Sequence, residues 1–449
     1  MLAVYSQSVS NKKTQRTFCH LKESMKKVAQ LATLVLTFLL SSSGLNCFAC
    51  SMCKVTINGR TYLGSNEDSW RPGSTIWFEN KTFGNYGAVY VGYNDGFPQG
   101  GMNEAGVAFD GLTIYPKSVK LDPDKKTVTN PSAFIKEIMQ TCQTVEDVKK
   151  YASQFNRQPF NSSVLMFSDK SGKYLVIEPD TMIVGNDNKY IIANFCPSSI
   201  SDNQKMAFNR YKRGSIFLQD HITDTSSNYC FALTDTMHEC RNKIGDGTMY
   251  SFVADLGNGN FNLFFYHDFK ISKDFNLKTE LSKGDHKFKM PDIFPLNSEY
   301  KRFLSFQTPH NNGWMRLILI CFAGLFAFLS IFLLASFIRN KNTISKKGIK
   351  LFLTCLNLIL LYYCFVLKNN QSIFYFPSPY QDSKFSLLNV AAYIPFLLLV
   401  SIIPLFWQNI KIVKGTSWSK FSKFIFSLNL LAYLTLIGLF AYWKLYSIF

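Results

Sequence analysis

A chain of 449 residues with 47% apolar and 16% aromatic side chains is long for one ordinary domain and greasy for a purely soluble protein. Its formal charge of +18 invites a nucleic-acid reading, yet residues 1–49 carry +5 and residues 311–449 carry +12, which leaves +1 on residues 50–310. The central region therefore has no basic face for DNA or RNA, and the positive charge instead flanks apolar segments.

The amino terminus has the layout of a secretory leader. Lys22, Lys26 and Lys27 precede an apolar stretch from Val28 to Leu40, with small and polar residues after it. Cleavage after Ala49 would make residues 1–49 a signal peptide and Cys50 the new first residue.

Residues 50–310 alternate short β-type runs with turn residues. The segment "KVTINGRTYLGSN" places Asn58-Gly59 between two alternating runs, a strong hairpin signal. Helices are predicted on "NPSAFIKEIMQTC" and "TVEDVKKYASQF", with Asn130 and Thr144 as N-caps, and a third on "DNQKMAFNRYKRGSIFLQD". Strands, then helices, then more strands predict an α+β layered domain. Residues 268–312 are Lys-rich and weakly periodic and read as its link to the apolar carboxy-terminal third of the chain.

That third contains four nearly charge-free runs: Leu317 to Ile338, Leu351 to Leu367, Leu387 to Trp407 and Phe424 to Trp443. Each is about long enough, as a helix rising 1.5 Å per residue, to cross the ~30 Å hydrocarbon core of a bilayer. A multi-pass membrane protein is predicted, with residues 50–312 as one domain and residues 313–449 as a membrane domain. Lys and Arg concentrate in the first and third connecting loops, including Arg339, Lys346, Lys411 and Lys423. Basic loops stay cytoplasmic, so the central domain is expected on the extracytoplasmic side. The spans carry almost no ionisable residue, which argues for an anchor over an ion pathway.

Cysteine usage frames the chemistry. A cysteine that opens a mature chain carries its own α-amine, with a pKa of about 7.7–8.0, within reach of its thiol. Such a pair needs no histidine. A lipid-modified or plainly structural Cys50 is the competing reading. Among the remaining cysteines of this region, Cys230 and Cys240 are the easiest local disulfide. No metal-ligand spacing or phosphate-cradling glycine loop is present, so no cofactor is expected.

The stretch "ACSMCKVTINGRTYLGSNEDSW" resembles the start of the N-terminal-nucleophile hydrolases that cut linear amides, the group of choloylglycine hydrolases, penicillin V acylases and acid-ceramidase-type amidases. The resemblance implies a four-layer αββα sandwich with Cys50 as nucleophile, Asp68 orienting its amine and Asn66 as the motif asparagine. "GGMNEAGVAFDGL" is similar to a family segment that maps Asn103 onto an oxyanion-hole amide. "YIIANFCP" and "AFNRYKRG" likewise bring Asn194 and Arg210 to the site. The family arginine is Ser65 here, leaving Arg71 or Arg210 as the compensating cation. The segment "NEDS" is also similar to that of related cysteine dipeptidases. The implied activity is cleavage of a small-molecule N-acyl amide at the lipid bilayer. Acyl transfer, dipeptide cleavage and a non-catalytic acyl-ligand receptor stay open.

Overall fold

The computed structural model describes residues 50–81, 85–221, 226–241, 243–339, 344–375, 387–415 and 418–447, so the expected leader lies outside the described residues. The chain opens with strands β1 (Cys50–Ile57), β2 (Arg60–Ser69), β3 (Ser74–Glu79), β4 (Ala88–Tyr93), β5 (Pro98–Asn103), β6 (Val107–Thr113) and the two-residue β7 (Lys126–Thr127). Helices α1 (Pro131–Thr141) and α2 (Val145–Ala152) follow, then β8 (Phe155–Asn156), β9 (Ser163–Asp169), β10 (Tyr174–Ile177), β11 (Met182–Gly185) and β12 (Lys189–Ala193). After α3 (Asn209–Asp220) and α4 (Ser227–Met237) come β13 (Gly247–Asp255), β14 (Asn260–Phe265), β15 (Asp268–Asn276), β16 (His286–Lys289) and α5 (Ser298–Ser305).

Two antiparallel sheets result, in the orders β12-β1-β2-β13-β14-β15 and β11-β10-β9-β6-β5-β4-β3-β16. Three buried clusters define four layers. Met52, Leu63 and Phe252 of the first sheet meet Ile76, Val89 and Met102 of the second between the sheets. Phe109 and Phe167, on the other face of the second sheet, pack under α1 and α2 through Phe134, Ile138 and Val148. Cys53, Val55 and Val253, on the other face of the first sheet, pack under α3 and α4 through Phe217, Cys230 and Leu233. The strand period of two sorts these side chains, because successive residues point to opposite faces. The expected αββα sandwich is the one observed.

Local chemistry sets the register that matters. Asn58 and Gly59 take φ of 50° and 75°, the left-handed pair of a two-residue hairpin turn. That turn pairs Ile57 with Arg60 and, seven residues further up, Cys50 with Glu67. Gly64 lets α4 settle on β2, since a Cβ there would stand 2.1 Å from Thr234 Oγ1 and 2.7 Å from Cys53 Sγ.

Asn130 and Thr144 cap α1 and α2 as expected, Thr144 through a full capping box. The single helix expected from Asp202 onward is instead a short turn, Asp202–Lys205, and the separate α3. Helix α4 was not expected: its buried face is Tyr229, Cys230, Leu233, Thr234 and Met237, and the polar Thr234 interrupts the apolar stripe. Residues 268–312 are not a bare link, because β15 and β16 each extend a sheet. Cys230 and Cys240 are not brought together either. Cys230 Sγ lies 3.9 Å from Cys53 Sγ in the core under α4, while Cys240 is exposed.

Four long helices complete the chain: α6 (Gly313–Arg339), α7 (Ile344–Asn369), α8 (Ile394–Lys414) and α9 (Lys420–Tyr442). All four are long and apolar enough to cross a membrane. Their outward faces are apolar too, with Ile331, Val400 and Ile403 among the most exposed side chains. Where they meet, Asn357 donates to Asn429 Oδ1 (2.8 Å) and accepts from Tyr433 (2.6 Å), a buried polar contact of the kind that joins helices in lipid.

The sandwich rests on one end of this bundle. Lys243 Nζ donates to the Ile373 carbonyl (3.1 Å), Lys444 Nζ to the Lys243 carbonyl (2.6 Å), and Trp443 Nε1 to the Gln307 carbonyl (3.1 Å). Gly313, Asn369 and Tyr442 therefore end at the sandwich. The 27-residue α6 rises about 40 Å, so Arg339 lies far from it.

Candidate active site

Cys50 begins β1, the second strand of the first sheet, between the edge strand β12 and β2. Register places Cys50, Glu67 of β2 and Tyr250 of β13 side by side across three strands, on the face turned to the second sheet. The neighbouring row, Ser51, Asn66 and Ser251, points to the opposite face. There Asn66 donates to Ser51 Oγ (3.0 Å) and the Thr234 carbonyl (2.9 Å) and accepts from Ser251 Oγ (2.6 Å). Asn66 thus ties β1, β2, β13 and α4 together and leaves the chemistry to its neighbours.

Around Cys50 the contacts are specific. Its backbone N donates to Asn194 Oδ1 (2.9 Å), and its thiol donates to Glu67 Oε2 (3.3 Å). Asn194 Nδ2 is anchored on the Thr113 carbonyl (2.8 Å), which fixes the amide so that its oxygen faces the cysteine. Asp68 and Arg210 are brought together: Arg210 donates to Asp68 Oδ2 at 2.6 Å, and Thr248 donates to the other carboxylate oxygen. Both carboxylate oxygens are held, and the Asp68 backbone beside the Cys50 sulfur acts to lower the thiol pKa, against the burial and carboxylates that raise it.

Asn103 requires a correction. Its amide hydrogens go to the Met139 and Cys142 carbonyls (2.8 Å each) and its oxygen accepts from Val107 N (2.8 Å). Met102, one residue earlier, faces the inter-sheet core that holds Cys50. Strand alternation therefore sends Asn103 to the α1 side, where it caps the end of that helix. An asparagine with both donors occupied on the far face of the second sheet cannot serve an oxyanion next to Cys50.

The electrostatics are acidic. Ser65, at the position of the family arginine, donates to Asp110 Oδ2 from the second sheet. Burial pushes Asp110 up to about 7, and burial together with Asp110 and Asp68 pushes Glu67 well above the usual carboxyl range. Burial, then Glu67, Asp68 and Asp110, raise the Cys50 thiol well above its ordinary value. The Tyr250 hydroxyl, fully buried beside Glu67, has no hydrogen-bond partner. Arg71 lies over the Tyr93 ring (4.8 Å) and 3.6 Å from Asp95, half-exposed; its charge lowers Glu67 from a distance. Sequence reasoning passed over Glu67 and Asp110. The hairpin register that starts at Asn58-Gly59 already paired Glu67 with Cys50, whereas Asp110 arrives from the other sheet and left no local signal.

Comparison with known proteins gives a fold-level likeness only. No family model matches the chain, and no curated protein matches its sequence. Among solved structures it is similar to penicillin V acylase from Agrobacterium tumefaciens (15% identity, TM-score 0.43), over 54% of this chain and 92% of that one. It is also similar to two variants of conjugated bile acid hydrolase from Clostridium perfringens, each at 17% identity. One has a TM-score of 0.45 over 56% of this chain and 99% of that chain, the other 0.43 over 56% and 97%.

Proposed function

We propose that the protein is a membrane-tethered cysteine amidase that hydrolyses linear N-acyl amides with Cys50 as nucleophile. One observation carries the reading: at the start of β1 the Cys50 nitrogen is gripped by Asn194 while its thiol donates to the buried Glu67 carboxyl. Sulfur, nitrogen and a proton acceptor thus converge on one residue without histidine.

In the uncut chain the thiol is held neutral by burial and carboxylates. Removal of residues 1–49 would turn the Cys50 backbone nitrogen into an amine, cationic below about pH 8. A positive charge beside Asn194 and Glu67 offsets the carboxylates and lowers the thiol pKa. With the amine protonated, the thiol proton passes to the Glu67 carboxylate; with the amine neutral, it passes to the amine. The sulfur attacks the amide carbon, and the oxyanion is met by the amide hydrogen of Asn194 not used by Thr113. The leaving amine takes the proton, and a thioester forms. Water then attacks the thioester, releasing the acid and restoring the thiol. Asp68 and Arg210 act by positioning, through the Asp68 backbone at the sulfur. If an amine takes the place of water, the same steps transfer the acyl group.

Residues 50–312 form the amidase domain and residues 313–449 the membrane domain in this reading, with the basic loops cytoplasmic and the amidase outside. Trp70, three residues beyond Glu67, stacks on Tyr375 at 6.1 Å, beside the bundle end. At about 3.3 Å per strand residue, Glu67 is about 10 Å from that contact. This proximity favours amphiphilic amides drawn from the lipid.

The test is mass spectrometry of the amino terminus of membrane-purified protein, with a Cys50→Ser variant assayed on acyl amides of increasing chain length. A free Cys50 and loss of all turnover in the variant are expected. A nitrogen still joined to Ala49 or acylated refutes the mechanism.

A further inference from the structure

Far from Cys50 in role, a second group of reactive side chains converges at the edge of the sandwich, where the chain turns toward the membrane. Cys240 follows α4, His267 sits in the turn between β14 and β15, and Glu299 lies in the first turn of α5, the helix that precedes α6. The Cys240 sulfur, a His267 ring nitrogen and a Glu299 carboxylate oxygen all lie within 4.8 Å of one another. His267 Nε2 is 2.9 Å from Glu299 Oε2.

The turn that presents His267 is unusual. Tyr266 and His267 have φ of 53° and 46°, two successive left-handed residues where a hairpin normally uses Asn-Gly, as this chain does at Asn58-Gly59. Bulky residues are disfavoured in that region. Tyr266 has a packing reason, since its ring is buried and its hydroxyl donates to the Gly245 carbonyl (2.9 Å). The His267 side chain is buried as well, its ring 4.4 Å from that of Tyr266, and what sets it apart is where its nitrogens point. Its Nδ1 is buried against the Thr248 backbone without closing a normal hydrogen bond, and Nε2 is turned to Glu299. A metal-ligating histidine has this pose, one nitrogen on the ligand cluster and the other toward a backbone acceptor.

We propose that Cys240, His267 and Glu299 bind a zinc ion, with water as fourth ligand. One sulfur, one nitrogen and one oxygen suit a borderline-soft cation and exclude magnesium and calcium, which take oxygen shells. Thiolate and carboxylate together balance the two positive charges. The thiol, raised by burial and by Glu299 and Asp246, would lose its proton on binding. His238 stands outside the shell: its ring is 6.1 Å from that of His267 and its Nδ1 is held by Asp235 at 3.0 Å. The ion would clip α5, and with it the entry to the first spanning helix, to the sandwich. Residues 240, 267 and 299 are too far apart in the chain for any spacing motif to reveal them.

The test uses the full chain in detergent, stripped with a chelator and titrated with zinc chloride. Expected are one zinc per chain by elemental analysis, a higher melting temperature, and at least about tenfold slower alkylation of the Cys240 peptide with zinc than without. Cys240→Ala and Glu299→Gln should abolish the rise in melting temperature. His267→Asn is the decisive variant. Asparagine tolerates the left-handed turn, so the zinc-free protein should melt no lower than wild type yet no longer bind zinc. Zinc bound equally by all three variants, or no zinc-dependent protection of Cys240, overturns the proposal. Neither outcome bears on Cys50.

Discussion

Replacing Glu67 with glutamine separates two roles that a single activity measurement would merge. The carboxylate oxygen accepts from the Cys50 thiol at 3.3 Å, inside a site that is almost sealed from water. A unit charge at that range is worth about 4 kcal/mol at an effective dielectric constant of about 20, or about three pH units in a thiol midpoint. Burial and Asp110 raise Glu67 and so reduce the charge it carries, which makes the expected effect smaller than that bound. The sign is fixed. Cys50 is raised in part by Glu67, so Glu67→Gln lowers the thiol pKa and the alkylation midpoint of the Cys50 peptide moves to lower pH. At pH 7 the sulfur becomes more reactive toward iodoacetamide. Amide turnover should move the opposite way, falling about 10²-fold or more, because the proton acceptor is gone. Both are read on one preparation, by peptide-resolved alkylation across pH and by kcat/KM. If alkylation and turnover rise together, Glu67 is only an electrostatic neighbour; if neither moves, the thiol does not contact it in solution.

Asn103→Ala leaves the Met139 and Cys142 carbonyls without their donor and should lower stability by about 2 kcal/mol in a denaturant titration. Its folded fraction should keep near-normal kcat, where an oxyanion role would cost about 10²–10³. Asn194→Leu removes the acceptor of the Cys50 nitrogen and should cost about 10²–10³ in kcat/KM; unchanged turnover would remove Asn194 from the mechanism. Asp68→Asn removes the carboxylate charge paired with the buried Arg210 and should destabilise by about 3–5 kcal/mol. In a double-mutant cycle with Arg210→Met the two losses should be strongly non-additive, and additive losses would refute the pairing.

How much of this is legible in the residues alone depends on the distance over which each feature is specified. The Asn58-Gly59 turn, the caps at Asn130 and Thr144 and the four apolar spans depend on neighbouring residues alone, through backbone sterics, hydrogen bonds to the nearest free N–H groups and hydrophobic length. The likeness around Cys50 also pointed to the αββα layering, and to Asn194 beside the nucleophile. Residue identity cannot say which face of a strand a side chain leaves from. Asn103 shares its motif with the family but stands on the helix side, where α1 needs its carbonyls satisfied. Helix α4 is hard to see in the residues because the polar Thr234 interrupts a packing stripe of Tyr229, Cys230, Leu233 and Met237.

Tertiary structure decided what the motif could not contain. Sheet pairing set Glu67 against the thiol, face-to-face stacking of the sheets delivered Asp110 to Ser65, and the docking of α3 closed Arg210 on Asp68. The chain order determined where strands, helices and spans form, because those depend on short-range energetics. The ionisation state of Cys50 is a sum of long-range charge interactions in a dry interior, and only the assembled layers determine which charges are near and how little water screens them.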